Sequence, residues 1–507
     1  MKKFLIVLMA LIMLLSLSAC SNGSDNGDQS ANPDENLNEK TELTMGYQTD
    51  PEGLDPQRTA AASTFVVTNN IYDTLVGVTP DWEITPRLAE KWDISEDGME
   101  ITFKLREDVF FQNGRQFKAS DVEFTFNRLK GEESPKARDY ANIKEIKIID
   151  DYNIKFVTEQ LDVELLKSFA YPWTAIVPEE EVANLKTKPV GTGAFQLKEW
   201  VPQQHIILER NENYYGDKPK LETVKLELIP DATSLMAGLQ VGDLDIIPLS
   251  GDQVQMLKEN TEYSILAQPM NAVQIMSLNT DNKILANEKV RQAIAMAINK
   301  DEVIEASSFG YGDKIGSHLP TTSPDYYDTN NIMEYNTEKA KELLKEAGYE
   351  NGFDIKLTLP KNYQIHVDAG QVIADQLSKI GIRANIELVE WGAWVSDVYG
   401  NKNFDMTVVA HTGRLDSYAF LSRYKSDSND YISLKTGEVD ELLNQALQEL
   451  DSNKRKDIYK QIQVILANKL PAIYIQTPYT MLGMQNNVQG MNIFPIDIYD
   501  FKDVYFQ

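Results

Sequence analysis

The sequence predicts an α/β protein of more than one domain, on three observations. Its 507 residues exceed what one hydrophobic core ordinarily serves and suggest two or three domains. Short segments that alternate apolar and polar residues, the period of a half-buried strand, recur before about residue 280. After that point apolar stripes with the helical period dominate. The shift near residue 280 is therefore read as the main domain boundary. A composition of 42% hydrophobic and 25% charged residues is that of a soluble globular protein.

The elements follow in chain order. Lys2 and Lys3 precede an apolar run, Phe4 to Leu15, of the length of a signal-peptide core and short for a membrane span. Leu17-Ser18-Ala19-Cys20 then resembles a bacterial lipobox, which implies lipidation of Cys20. Cys20 is the single cysteine of the chain, so a disulfide role is ruled out; a plain signal peptide with an incidental cysteine is the alternative. Residues 21–40 are rich in Ser, Asn, Asp and Gly and read as a flexible tether. Ile101 to Leu105 and the trio Val224, Leu226 and Leu228 alternate as half-buried strands do. Ile386 to Val389 and Met406 to Ala410 are apolar enough to predict interior strands. Val290, Ile294, Ala297 and Ile298 share a helical face. Asn336 or Thr337 can cap a helix carrying Ala340, Leu343, Leu344 and Ala347, which Gly348 closes. Val439, Leu442, Leu443, Ala446, Leu447 and Leu450 form a long apolar stripe. No internal repeat is found.

The search for chemistry is mostly negative. A net charge of -28 disfavours nucleic acid, whose phosphates need a basic footprint, and otherwise serves solubility. His205, His318, His366 and His411 lie far apart without metalloprotease spacing. Gly191-Thr192-Gly193 is not continued as a phosphate loop and reads as a tight turn. No nucleophile elbow is present, while abundant carboxylates leave a two-carboxylate hydrolase open. Aromatic residues offer a positive signal. Tyr171, Trp173, Trp391, Trp394, Tyr418 and Tyr431 stand in polar, turn-like surroundings that suit a ligand cleft, with ordinary packing as the plain alternative.

Six segments, in order, carry a family resemblance. Arg87 to Trp92, Ser95 to Gly98, Phe103 to Arg106, Val109 to Gly114 and Phe117 to Val122 together form the first block. Pro189 to Phe195, Glu209 to Gly216, Gly242 to Asp245, Val290 to Ile294 and Ala340 to Tyr349 follow. This succession resembles the peptide/nickel family of extracytoplasmic solute-binding proteins. The resemblance implies two α/β lobes joined by a hinge, with an extra domain inserted in the first lobe, closing over a ligand. The expected division is 1–20 signal peptide, 21–40 tether, 41–280 first lobe with an insert at about 80–190, 281–480 second lobe, and 481–507 a return to the first lobe. The implied partners are the permease and ATPase subunits of an ABC importer, a peptide-sized ligand, and the membrane through the lipid anchor. No cofactor, catalysis or nucleic-acid partner is expected.

Departures from the family pattern bear on the ligand. In peptide binders an aspartate that holds the peptide amine stands where this chain has Gly413, with Asp416 as a possible substitute. The metal-touching histidine of nickel-type relatives aligns with Asn429, which leaves His411 as the one candidate metal ligand. Arg414 and Arg138 are candidates for a ligand carboxylate, since a guanidinium fork matches that geometry; surface ion pairing is the alternative. Tyr140 and Tyr418 flank these positions, and Phe65, Tyr171, Trp173 and Trp394 are candidate cleft walls. The expected function is capture of a short peptide or peptide-like solute, with metal-chelate binding and carboxylate-dependent hydrolysis as alternatives.

Overall fold

The computed structural model describes Lys40–Gln507 apart from Ser433, Lys435 and Asp497. The predicted signal segment, Cys20 and the tether up to residue 39 lie outside the described residues. Among the described residues no helix is long and apolar enough to cross a membrane.

The first lobe is built on strands ordered Phe195–Val201, His205–Arg210, Thr223–Leu228, Glu42–Tyr47 and Ile246–Pro248. Glu42–Tyr47 runs parallel to Thr223–Leu228 in a register that sets Met45 beside Leu226. Leu43, Met45, Val224 and Leu226 are buried, which is why the predicted alternation appears on this strand pair. The second lobe orders its strands Ile382–Val389, Phe353–Pro360, Met406–Thr412 and Ala272–Leu278. Its first two run parallel to each other, and Phe353–Pro360 also runs parallel to Met406–Thr412.

One strand belongs to both lobes. Ala472–Gln485 is 14 residues long. Its first half pairs with Ala272–Leu278 in the second lobe, while its second half pairs with Tyr263–Pro269 and Ile246–Pro248 in the first. The chain thus passes between lobes along two adjacent antiparallel paths, near Met270 and near Pro478.

A separate antiparallel sheet, ordered Ala89–Ile94, Glu100–Leu105, Asn153–Thr158 and Ile143–Asp150, falls in sequence between strands of the first lobe. The helix Ala119–Leu129 packs on it through Phe126, whose ring centroid lies 4.9 Å from Phe156 and 5.0 Å from Phe169. Edge-to-face contacts of this kind add to the apolar burial. Gly98, at φ 69°, makes the turn between the first two strands. Gly191 and Gly193 have a different duty: a Cβ there would meet the Ile71 carbonyl oxygen at 2.1 and 2.8 Å. They let one backbone lie directly on another.

The helix Thr337–Glu346 is capped by Asn336, whose side chain accepts from Lys339 N, and Gly348 follows at φ 86°. Two expectations are corrected. Ile382–Val389 is an edge strand with one neighbour, and Ile386 and Leu388 are 39% and 52% exposed. Apolar composition alone does not distinguish an edge from a sheet centre. The helix Gly437–Gln448 ends before Leu450, which is exposed and outside the buried stripe.

Candidate functional site

Parallel strands place their carboxyl ends at the lobe junction, where ligands collect in open α/β sheets. The first lobe contributes residues just past Glu42–Tyr47, and the second contributes the loop that follows Met406–Thr412. Asn271, between the crossing strands, holds these parts together. Its backbone oxygen accepts from Gly413 N at 2.9 Å, and its side-chain Nδ2 donates to the carbonyls of Arg414 and Pro495, each at 2.6 Å. Met270 N donates to Pro478 O at 2.9 Å, which ties the two crossing paths.

A cavity of about 400 Å³ lies beside Asn271. One wall is the strand end from Met45 to Thr49, and a second is the first turn of the helix Ala62–Ile71 with Ser63 and Val66. Pro248, Met270 and Thr480 form the floor at the crossing, and Phe494, Ile496 and Ile498 close the far side. Tyr47 donates its hydroxyl to Ser63 O, and burial pushes its phenol well above the usual range, so it stays neutral.

The second-lobe loop reaches into the first lobe through Leu415. This side chain is 2% exposed and belongs to the same apolar cluster as Phe65, Trp173, Ile496 and Ile498. Leu415 N donates to Tyr171 Oη at 2.6 Å. Tyr171 stacks on Trp173 at 4.3 Å, and Phe65 packs against Trp173 at 5.7 Å. Trp173 Nε1 donates to Tyr140 Oη at 2.9 Å, and Tyr140 donates in turn to Ser168 O at 2.9 Å. The Lys136 ammonium sits 4.2 Å from the Trp173 ring centroid, within cation–π range. Phe65, Tyr140, Tyr171 and Trp173 thus form one aromatic wall against which the loop closes.

A second cavity, of about 560 Å³, lies between the inserted sheet and residues 414–422. Arg414, Asp416, Tyr418, Tyr140 and Tyr171 all line it. Several of its charges are already engaged. Arg414 Nη1 contacts Asp139 Oδ2 at 3.1 Å. Glu164 pairs with Lys167 at 2.7 Å and with Arg455 at 3.4 Å. Asp416 caps the short helix Ser417–Leu421 by accepting from Ala419 N at 2.5 Å. Desolvation, with the Glu164 charge added, pushes the Asp416 carboxyl up to about 7. Arg414–Asp139 and Glu164–Arg455 join the second lobe to the first, so these groups serve to hold the lobes together.

His411 has both ring nitrogens occupied. Nδ1 lies 3.0 Å from His318 Nε2, and Nε2 lies 2.7 Å from Tyr431 Oη. His318 in turn bonds Tyr424 through Nδ1, and Tyr474 donates to Tyr424 at 3.3 Å. Burial holds both imidazoles well below their ordinary range, and so neutral. No group of three or more His, Cys, Asp or Glu suited to a metal ion occurs among the described residues.

Two sequence candidates stand apart from the cavities. Arg138 is exposed on the 3₁₀ turn Ala137–Tyr140. Trp394 is 3% exposed in the second-lobe core, donates to Thr407 Oγ1 at 2.9 Å and stacks on Trp391 at 5.0 Å. Sequence reasoning missed Asn271, Leu415, Phe494, Ile496 and Ile498. Leu415 lies between Arg414 and Asp416, both already candidates, but the C-terminal residues carried no signal.

The family model for bacterial extracellular solute-binding proteins, family 5 (middle part), matches residues 83–432. A dipeptide-binding protein of Escherichia coli K12 is 29% identical over 497 residues, covering 90% of this chain and 92% of that protein. Heme-binding protein A of Haemophilus influenzae is 28% identical, with 94% of each chain covered. The structure of an ABC transporter-associated periplasmic binding protein from Helicobacter pylori, in complex with the peptide STSA, aligns with a TM-score of 0.79 at 28% identity. It covers 92% of this chain and 98% of that one.

Proposed function

Since the chain belongs to the bacterial extracellular solute-binding proteins of family 5, we propose that it captures a peptide or peptide-like solute between its lobes and delivers it, unchanged, to an ABC importer. The observation that carries this reading is the cavity of about 400 Å³ at the crossing strands, walled by the carboxyl end of a parallel strand and abutting the second-lobe loop through Asn271. Closure brings Leu415 onto the aromatic wall of Phe65, Tyr171 and Trp173 and excludes water from the junction. The crossings at Met270 and Pro478 act as the hinge, with Arg414–Asp139 and Arg455–Glu164 as closing contacts. Cys20 carries the lipid that keeps the body at the outer face of the membrane.

The metal-chelate alternative asks His411 to give up one of its two hydrogen bonds, which weighs against it. Hydrolysis is disfavoured by the engagement of Asp139, Glu164 and Asp416 in ion pairs and capping.

Thermal unfolding in the presence of a peptide library tests the reading. A bound solute at a hundredfold excess over its Kd adds about 2.7 kcal/mol of stability. Native mass spectrometry should recover that solute intact. A library without a single stabilising member, or recovery of cleaved products, refutes capture. Replacing Cys20 by Ser should move the protein from the membrane fraction to the soluble fraction.

A further inference from the structure

Among the described residues the strand Ile382–Val389 pairs on one side only, with Phe353–Pro360, and its outer backbone groups face away from the sheet. The strands Phe353–Pro360, Met406–Thr412 and Ala272–Leu278 separate it from the strand shared by the lobes and from the cavity there. Its solvent face carries charge of both signs. Arg383, Asn385 and Glu387 are exposed and alternate along the strand, so they share one face. Arg383 contacts Asp354 at 3.0 Å, and Glu387 contacts Lys356 at 3.3 Å, both on the neighbouring strand. The reverse face carries Ile382, Ala384, Ile386 and Leu388, and the last two are large apolar side chains left exposed.

We infer that two copies of this chain associate through Ile382–Val389, antiparallel about a twofold axis at Asn385, as one closed pair. Residues that meet across antiparallel strands point to the same face, so solvent-facing residues meet their own kind. Centred on Asn385, the pairing sets Arg383 opposite Glu387 of the second copy, and the twofold axis repeats that contact. Asp354 and Arg383, followed by Glu387 and Lys356 of the second copy, then form one row of alternating sign. On the reverse face Leu388 meets Ile382 of the second copy, and Ile386 meets its Ala384. Moving the centre by one residue loses the match, because Arg383 then faces Asn385 or Val389. Charge therefore sets register more than it adds affinity. The strand has eight residues, against about 20–30 a side in a standard interface, so the pair is weak and forms as concentration rises. It leaves the junction cavity of each copy free and stands apart from the capture reading.

Sedimentation velocity on the full chain carrying Cys20→Ser, over a rising concentration series, tests the pairing. The weight-average mass is expected to climb from one copy toward two and to stop there. Arg383→Glu or Glu387→Arg alone sets like charges opposite each other twice per pair and should raise the dimer Kd at least about tenfold. The combined variant restores opposite signs across the axis and should recover most of the parent affinity. The two side chains are 75% and 52% exposed, so folding is spared, and circular dichroism should show it unchanged. A mass that stays at one copy throughout, with the edge bare or held by another partner, overturns the inference. So do a dimer indifferent to both reversals, a double variant no tighter than the single ones, and growth beyond two copies. Asn385→Cys in the same chain gives a second reading. The residue meets its own copy at the axis, within disulfide reach, so oxidation should yield a covalent dimer, while Arg383→Cys, which faces Glu387, should not. Equal crosslinking of both variants overturns the inference.

Discussion

Three carbonyl oxygens depend on the guanidinium of Arg291. It donates to Leu285 O at 2.9 Å, Ala286 O at 3.0 Å and, through two nitrogens, Lys469 O at 2.9 and 2.7 Å. Arg291 is 5% exposed, so its removal leaves buried acceptors without donors. Arg291→Met should cost about 3 kcal/mol, read as a lower urea midpoint at unchanged slope. His366 makes a second residue-scale prediction. It is 6% exposed, its Nδ1 accepts from Gln274 Nε2 at 2.9 Å, and burial holds its pKa at about 4. The folded value lies below the unfolded one, so below about pH 6.5 the unfolded chain takes up the proton first. Stability is therefore lost as pH falls from 6.5 toward 4. Relative to a His366→Asn variant, the wild type should lose about 1.4 kcal/mol per pH unit across that window. Parallel denaturation curves at several pH values would check it, and a constant gap would contradict it. At this scale the sequence was a partial guide. Tyr171 and Trp173 were singled out from their polar, turn-like setting, and the structure places both, buried, in one packed aromatic cluster. Whether Arg414 faced a ligand or Asp139 depends on which loop stands opposite, and no local pattern encodes that.

Among the elements, the edge strand Ile382–Val389 exposes Ile386 and Leu388 along an unpaired backbone. Such an edge invites pairing with another chain. Leu388→Lys should lower concentration-dependent association in light scattering while shifting Tm by less than about 2 °C, since the side chain is half exposed already. The Gly191–Gly193 segment behaves oppositely. Gly193→Ala would drive a Cβ to 2.6 Å from Asn70 O and the Ile71 carbonyl carbon, where backbone has no room to yield. A loss of at least about 2 kcal/mol is expected, measured by thermal unfolding. The strands with alternating burial, such as Glu100–Leu105, were legible because one face meets a core and the other water. Strand order was not, because edge and centre positions can share the same residues.

At the scale of the whole molecule, the junction depends on few tethers. Asn271 joins the second-lobe loop to the C-terminal return segment by two side-chain hydrogen bonds of 2.6 Å. Asn271→Ala should loosen closure, seen as a larger radius of gyration in small-angle scattering that added solute only partly reverses. An unchanged scattering profile would show that the apolar seating of Leu415 suffices. The two-lobed architecture was foreseeable only through the ordered family segments, since periodicity alone yields strands and helices without saying how they are shared out.

That sharing has a consequence for how the chain can change length. Because the strand Ala472–Gln485 serves both lobes, the phase of up and down on either side of Pro478 is fixed separately by each lobe's own partner strands, with a bulge already present opposite Gln274 and Ile275. Inserting a single residue between Pro478 and Tyr479 without a second bulge would leave one lobe's half correctly oriented and invert the other's, turning buried side chains to water. The common shaft thus admits an insertion only as a bulge, while the loops at its flanks remain free to vary and to retune what is held.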